Sequence, residues 1–198
     1  MDFFQYGDKE IEYLKKRDTI LAKAIEELGF IKRTITKDVF TSLIESIIGQ
    51  QISSKAATTI CKRLVELVGT VTPENIFATN IEDIQKCGMS MRKAGYIKGI
   101  AESVINKELV LDEFPSLSDD EIIKKLSALS GIGVWTAEMI LIFSLNRMDV
   151  LSYKDLAICR GIKNLYGLDE LTKKDFEKYR ETYSPYGSVA SLYLWAKS

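Results

Sequence analysis

Residues 129–137 have the sequence LSGIGVWTA and join two stretches with helical patterns, leaving room only for a tight reversal of the chain. Gly131 and Gly133 permit backbone angles and close approaches that a side chain would block. We predict that a helix begins at about Val134, with its first unpaired N–H groups directed outward. Such a helix start attracts anions because the free donors and the helix dipole act together. By itself, this segment fits an anion site and an ordinary turn between helices equally well.

The size and charge of the chain narrow the possible classes of protein. Its 198 residues suffice for one domain, or for two closely packed lobes, with a real core. The hydrophobic content of 46% and the charged content of 28% are typical of a soluble globular protein. The net charge is −1, so any contact with nucleic acid must come from a local basic patch. We expect no membrane segment and no secretory signal, because the apolar runs are too short and the N-terminus is too polar.

Residue types that are absent or scattered restrict the chemistry. The sequence contains no histidine, which excludes histidine-based triads, histidine general bases and most zinc hydrolase sites. Cys61, Cys87 and Cys159 lack metal-ligand spacing and suit buried positions in a reducing cytosol. We therefore expect a cytoplasmic protein with no metal held by side chains. Catalysis would depend on carboxylates, hydroxyls, lysines, thiols or backbone groups.

Nearly every segment has a helical pattern, which predicts an all-α fold of about ten or eleven helices. Ser, Thr or Asn precedes several of the apolar stripes and can serve as an N-cap. No alternating strand pattern competes with the helical patterns. The predicted helical segments are 8–28, 37–48, 54–68, a short one from Pro73, 80–88, 90–106, 118–129, 134–145, 154–166, 172–183 and 186–197.

Asp155 allows a structural and a catalytic interpretation. The segment Ser152-Tyr153-Lys154-Asp155 fits a capping box, in which the acid stabilises a helix start without any catalytic role. A carboxylate held beside the 129–137 turn could instead stabilise a developing cation or orient a water molecule. The two roles are compatible.

Other polar and aromatic residues have the same ambiguity. Gln50 and Gln51 break an apolar helix and form either a polar loop or a tip that enters a DNA duplex. Trp135 and Trp195 fit core positions, and they also fit a surface that stacks on a flat ring. Arg92, Lys93 and Lys98 on one predicted helix are interpreted as a solvated face, although such cations can also meet phosphates.

Several segments together resemble one known family. The 129–137 turn resembles the helix-hairpin-helix motif of the helix-hairpin-helix/Gly-Pro-Asp DNA glycosylase superfamily. The match extends to the 3-methyladenine DNA glycosylase II (alkylbase) branch and covers the chain from about residue 8 to its end. The supporting segments are IIGQQIS at 47–53, GMSMRKA at 88–94, 149–155, and 184–195.

The resemblance implies a two-lobed helical fold with a cleft between the lobes. We expect one glycosylase domain over residues 1–198, with lobe A at about 1–36 plus 130–198 and lobe B at about 37–129. It would be a compact form without the extra N-terminal domain of larger alkylbase glycosylases. An arginine common before the last helix is replaced by Gly187, which removes one expected polar contact.

The resemblance also implies how DNA is held. Gly131 and Gly133 would present backbone N–H groups to a phosphate, and the Thr136 hydroxyl would also meet the DNA backbone. The hairpin carbonyls would hold a Na⁺ or K⁺ ion. The loop of Gln50 and Gln51 would fill the gap left by an extruded nucleotide, with Gln51 favoured as the inserting residue. The implied partner is double-stranded DNA containing damaged bases, bound by a monomer that associates with the nucleoid.

The implied reaction is simple base excision. Asp155 would be the catalytic carboxylate, and Trp135 and Trp195 would line the pocket for the flipped base. Relatives that also nick the strand carry a lysine nucleophile at the position of Trp135, and an indole cannot form a Schiff base. The resemblance therefore implies a monofunctional enzyme that releases alkylated purines such as 3-methyladenine and leaves an abasic site.

No cofactor is implied, and an iron–sulfur cluster is not expected because no cysteine follows Cys159. Two alternatives stay open. The chain could be a glycosylase for oxidised or mismatched bases, or a non-catalytic helix-hairpin-helix module that only grips the DNA backbone.

Overall fold

A computed structural model describes residues 2–198 and confirms the all-α class. Within this range there are twelve α-helices, one short 3-10 helix and one pair of very short strands. Of the helices described, none combines the length and apolarity that a bilayer-spanning segment needs. The helices are α1 (Asp8–Arg17), α2 (Thr19–Leu28), α3 (Val39–Gly49), α4 (Ser54–Val68), α5 (Pro73–Ala78), α6 (Ile81–Lys86), α7 (Met91–Ile105), the 3-10 helix (Leu111–Ser116), α8 (Asp119–Ser127), α9 (Val134–Phe143), α10 (Leu156–Tyr166), α11 (Lys173–Tyr183) and α12 (Gly187–Ala196).

The two strands were not expected from the sequence. β1 (Asp2–Phe3) pairs in antiparallel fashion with β2 (Thr34–Ile35), and the Phe4 N–H extends the pairing by donating to the carbonyl of Arg33 at 2.8 Å. A strand of two residues is too short to show the alternation by which strands are recognised.

The predicted 8–28 helix is wrong in one respect, because Asp18 divides it into two helices. Asp18 has an extended backbone (φ −146°, ψ 110°), which ends α1. Its Oδ1 atom then accepts hydrogen bonds from the N–H groups of Ile20 and Leu21 at 2.9 and 2.8 Å. The carboxylate thus caps the start of α2, a role for which aspartate is among the preferred residues.

Contacts between Cα atoms divide the chain into two compact units. The first contains the residues up to Ile35 together with Leu141–Ser198, and the second is Thr36–Ile140. The division falls within α9, whereas the lobes implied by the family resemblance meet at about residue 129. The 129–137 turn therefore belongs to the second unit.

In the first unit, α2 packs against α10 and α12, while α11 packs against α1 and α12. The contact between α10 and α12 depends on Gly161. A Cβ atom at this position would overlap the backbone carbonyl of Leu194, so the two helices approach at van der Waals distance only because glycine lacks a side chain.

The second unit is organised around α7. This helix packs against α3, α5 and α6, and α3 also packs against α4. The buried face of α7 includes Ile97 and Ile100, and that of α3 includes Leu43 and Ile47. Burial of such apolar side chains is the main stabilising contribution to a unit of this kind.

Candidate functional site

The turn between α8 and α9 is a tight helical hairpin. The N–H of Leu129 donates to the carbonyl of Leu126, and the N–H of Ile132 donates to the carbonyl of Leu129, each at 3.1 Å. Ile132 is buried and anchors the turn. The following helix begins at Val134, as predicted, so its first N–H groups follow the turn directly.

The two hairpin glycines differ in their surroundings. Gly131 has a φ of +86°, and a Cβ atom there would overlap the Tyr96 ring and lie 2.9 Å from Cδ1 of Ile47. Both the backbone angle and the packing therefore require glycine. Gly133 is exposed, its φ is outside the left-handed region, and a Cβ atom built on it would have no neighbour within 4 Å.

The two glutamines in the loop after α3 have different surroundings. The Gln50 side chain turns back, and its Nε2 atom donates a 2.8 Å hydrogen bond to the carbonyl of Gly131 in the hairpin. Gln51 is exposed and has a φ of +58°, a conformation that non-glycine residues seldom adopt. Gln51 is thus the exposed residue at the loop tip, while Gln50 connects the loop to the hairpin.

Lys93 and Lys98 are not simply part of a solvated face, contrary to the sequence interpretation. The Nζ atom of Lys93 donates to the carbonyls of Ile48 and Gln50 at 2.8 and 2.6 Å. Burial lowers the pKa of Lys93, and the nearby charge of Arg92 lowers it further. Lys98 makes the same kind of contact at the end of α5, where Nζ donates to the carbonyls of Ile76, Phe77 and Thr79.

A cavity of about 490 Å³ lies where the loop after α3 meets the first turns of α9. This volume is within the range of sites that enclose small ligands. Trp135 is 46% exposed, whereas Thr136 is buried. The lining residues are Ser46, Gly49, Gln50, Gln51, Trp135, Thr136 and Met139.

Three of these lining residues, Ser46, Gly49 and Met139, are not among the site residues predicted from the sequence. Ser46 lies one helical turn before Gln50, and Met139 lies one turn after Trp135. Residues four apart share a helix face, so the predicted positions of Gln50 and Trp135 indicate Ser46 and Met139 as further lining residues. The pocket thus combines an aromatic surface and a thioether with two hydroxyl groups.

Asp155 is the N-cap of α10, and the predicted cap at Ser152 with a helix from about Lys154 is wrong. The Asp155 Oδ1 atom accepts hydrogen bonds from the N–H groups of Ala157 and Ile158 at 2.9 and 3.0 Å. The side chain is only 6% exposed. A short side chain that caps its own helix has few accessible orientations, so the carboxylate is held in place by the helix start.

The segment that leads to Asp155 is fixed by the start of α12. Asp149 accepts hydrogen bonds from the Ser184 hydroxyl at 2.6 Å and from the N–H of Gly187 at 3.1 Å. The N–H of Val150 donates to the Ser188 hydroxyl at 2.9 Å. A Cβ atom at Gly187 would lie 3.0 Å from Asp149 Oδ1, so this structure leaves little space for the larger residue expected there.

Trp195 lies on α12 and is half-buried. Its ring stacks on Phe143, with the ring centroids 5.5 Å apart and the planes at 29°. The guanidinium of Arg33 lies 5.1 Å from the Phe143 ring centroid. The structure thus places Trp195 in an aromatic stack of the first unit, while its role in base binding stays a prediction.

Metal ligation by side chains finds no support in the part of the chain that is described. Residues 2–198 contain no group of three or more Cys, Asp or Glu side chains suited to hold a metal ion. The monovalent ion at the hairpin carbonyls stays a prediction.

Comparison with known proteins agrees with this geometry. Residues 44–185 match the family model for the HhH-GPD superfamily of base excision DNA repair proteins, and the chain belongs to this family. Its relatives place it in the alkylbase branch. DNA-3-methyladenine glycosylase 1 of Schizosaccharomyces pombe is 38% identical over 167 residues, which cover 82% of this chain and 73% of the relative.

Two solved structures have the same fold over nearly the whole chain. A DNA-3-methyladenine glycosidase from Bacillus halodurans superposes with a TM-score of 0.89 at 38% identity, covering 99% of this chain and 92% of the other. The S. pombe 3-methyladenine DNA glycosylase in complex with abasic DNA gives a TM-score of 0.83 at 34% identity, covering 95% of each chain.

Proposed function

We propose that this protein is a monofunctional DNA glycosylase of base excision repair. It hydrolyses the N-glycosidic bond of alkylated purines such as 3-methyladenine in duplex DNA and leaves an abasic site. The observation that carries the proposal is the pocket at Trp135, whose lining includes an indole and a thioether but no lysine. Relatives named as 3-methyladenine glycosylases support the substrate class.

The pocket suits a cationic purine. An N3- or N7-alkylated purine carries a positive charge, and the face of a tryptophan ring attracts cations. The half-exposed indole of Trp135 offers such a face to a nucleotide flipped out of the duplex. When the glycosidic bond breaks, its electron pair neutralises the purine, which then leaves without needing a proton.

Asp155 serves the sugar. As the purine departs, positive charge develops at C1′ of the deoxyribose, and a fixed carboxylate stabilises that charge. A water molecule oriented by Asp155 adds to C1′, and its proton passes to the carboxylate. The pocket lining contains no lysine amine that could attack C1′, so the strand stays intact. The hydrolysis itself uses only water and the carboxylate and requires no cofactor.

The hairpin and the loop hold the DNA. The N–H groups at Gly131 and Gly133, at the start of α9, bind a phosphate, and the Thr136 hydroxyl adds a contact to the backbone. Gln51 fills the space left in the duplex. We include a Na⁺ or K⁺ ion at the hairpin carbonyls and a monomeric enzyme associated with cellular DNA in this proposal.

The substitution Asp155→Asn tests the proposal. Asparagine caps a helix about as well as aspartate, so the variant should fold and bind DNA. Two charges at about 4 Å interact by about 4 kcal/mol at an effective dielectric constant of about 20. Loss of the carboxylate charge should therefore slow base release by about 10²- to 10³-fold.

The assay follows release of 3-methyladenine from methylated duplex DNA, with and without alkali. We expect strand breaks only after alkali. Release by Asp155→Asn at the wild-type rate would exclude Asp155 from the mechanism. DNA binding without any base release, or preferential release of 8-oxoguanine, would contradict the proposed activity.

A further inference from the structure

The end of α3 is held by a side chain from another helix. The last carbonyls of a helix lack intrahelical partners, and here two of them, at Ile48 and Gln50, accept hydrogen bonds from the ammonium group of Lys93 on α7. Lys93 is half-buried, and this burial lowers the pKa of its ammonium group. The backbone of Gln50 is thereby tied to the start of α7.

The Gln50 side chain extends this connection to the hairpin. Its Nε2 atom donates to the carbonyl of Gly131, 81 residues further along the chain, at 2.8 Å. Ile47, on the last turn of α3, also packs closely against Gly131, leaving no space for a Cβ atom there. A side-chain hydrogen bond and an apolar contact thus join the loop and the hairpin.

The next residue, Gln51, needs this support. Its φ of +58° is an unfavourable conformation for a residue with a side chain. Such conformations persist where the surrounding structure holds them, and they are concentrated at functional sites. The exposed Gln51 is preceded directly by a residue that is fixed through both its backbone and its side chain.

We propose that Lys93 and Gln50 are positioning residues, which join Gln51 and the 129–133 hairpin into one rigid element. This inference rests on the proposed function. The element sets the spacing between the residue that fills the duplex gap and the backbone N–H groups that bind a phosphate. Gln50 accordingly acts through the protein, by fixing the position of Gln51 relative to the hairpin.

The chain offers a matched control on the same helix. Lys98 also lies on α7, is half-buried, and donates through Nζ to the carbonyls of Ile76, Phe77 and Thr79 at the end of α5. No DNA contact is proposed for α5. The substitution Lys98→Met therefore removes the same kind of helix-end contact without disturbing the loop or the hairpin.

The test compares release of 7-methylguanine under single-turnover conditions from two synthetic duplexes. In one, the lesion is paired with cytosine. In the other, it faces an abasic-site analogue, so less stacking and pairing has to be disrupted before the nucleotide can flip. Lys93→Met and Gln50→Met should slow release from the duplex with the paired lesion by about tenfold. They should slow release from the duplex with the abasic-site analogue by less than about twofold. The reason is that a misplaced Gln51 matters most where a paired nucleotide must be displaced from the duplex. Lys98→Met should change both rates by the same factor.

The outcomes are distinct. The deciding quantity is the ratio of the release rate from the duplex with the paired lesion to that from the duplex with the abasic-site analogue. If this ratio is the same in Lys93→Met, Gln50→Met and Lys98→Met, the inference is overturned and the proposed function stays intact. If the wild-type protein releases no base from either duplex, the proposed function fails and the inference fails with it. Should Lys93→Met not fold, the neutral Gln50→Met variant decides by the same ratio.

Discussion

Replacing Gly131 by alanine, with Gly133→Ala as the matched control, separates the structural role of a hairpin glycine from a role in DNA binding. At Gly131 the new methyl group would overlap the Tyr96 ring and lie 2.9 Å from Ile47 Cδ1, while the backbone would keep a φ of +86°. At Gly133 the methyl group would have no neighbour within 4 Å. The two variants therefore make the same chemical change in different surroundings.

The magnitudes follow from these surroundings. A left-handed conformation costs a residue with a Cβ atom about 1–2 kcal/mol, and an extra methyl group in a packed site costs about 1–3 kcal/mol. We expect Gly131→Ala to reduce the free energy of unfolding by about 3 kcal/mol, equivalent to a fall in Tm of about 6–12 °C for a protein of this size. Gly133→Ala should cost less than about 1 kcal/mol, the difference between glycine and alanine at a helix start.

DNA binding should show the complementary result. A methyl group at Gly133 stands in front of the first N–H groups of α9 and keeps a phosphate at a distance. Loss of one hydrogen bond to a charged group weakens binding by about tenfold to a hundredfold. Urea unfolding and fluorescence anisotropy with an abasic duplex measure the two effects. Unchanged stability of Gly131→Ala, or a loss of about 2 kcal/mol or more for Gly133→Ala, would refute this reasoning, as would wild-type affinity of Gly133→Ala.

Further predictions concern the pocket and Tyr166 and Tyr183, whose hydroxyl groups are joined by a hydrogen bond. Trp135→Ala should slow release of cationic 7-methylguanine by about fivefold to tenfold more than release of neutral hypoxanthine, because only the cation gains from the indole face; equal losses would contradict this. Tyr166→Phe removes the hydrogen bonds to Asp18 Oδ2 (2.6 Å) and the Tyr183 hydroxyl (2.7 Å) and should cost about 2 kcal/mol in urea unfolding, whereas an unchanged midpoint would show that these bonds contribute nothing. Burial raises the pKa values of Tyr166 and Tyr183 above the ordinary value of 10.0, so their contribution to stability is complete below about pH 10 and declines above it as the unfolded chain loses protons first. The urea midpoint of the wild type should therefore fall between pH 8 and pH 11. A constant midpoint would contradict the raised pKa values of Tyr166 and Tyr183 in the folded protein.

Helix starts could be predicted from the sequence because their chemistry is local. The Ser118 hydroxyl accepts from the N–H of Glu121 and the Glu121 carboxylate accepts from the N–H of Ser118, as the spacing predicts. Thr72 and Ser90 likewise cap α5 and α7. The partners in each case lie within three residues, so a short window of sequence contains the whole interaction.

Interactions between distant residues could not be predicted in this way. The hydrogen bond from Gln50 to Gly131 joins residues 81 apart. No pattern in the sequence around a glutamine indicates which distant carbonyl its amide will bind. The same holds for Lys93, because the sequence predicts a solvated ammonium group and the structure shows one that donates to two carbonyls. Asp18 shows a related limit, since its apolar neighbours continue the helical pattern across the break.

The candidate site residues are predicted mainly from the resemblance to a family, and the residues alone leave the alternatives open. The sequence predicts Asp155 as the acid of a capping box that begins at Ser152, and as a candidate catalytic group. In the structure Asp155 is itself the N-cap, and the helix begins at Leu156. The sequence places Gln50 and Gln51 on one polar loop, whereas in the structure their side chains have different surroundings. The backbone conformation at Gln51 separates them, and it depends on packing that no local pattern encodes.

The division of the chain has a consequence for the order of folding. The second unit is a continuous segment, Thr36–Ile140, whereas the first is assembled from both ends of the chain. During synthesis from the N-terminus, the continuous unit has all of its own residues before α10, α11 and α12 have been made. The helices α1 and α2 must wait for these later helices, because α2 packs against α10 and α12, and α1 against α11 and α12. As the chain leaves the ribosome, the loop and the hairpin therefore emerge before Asp155 does, and at that point α1 and α2 still lack their packing partners.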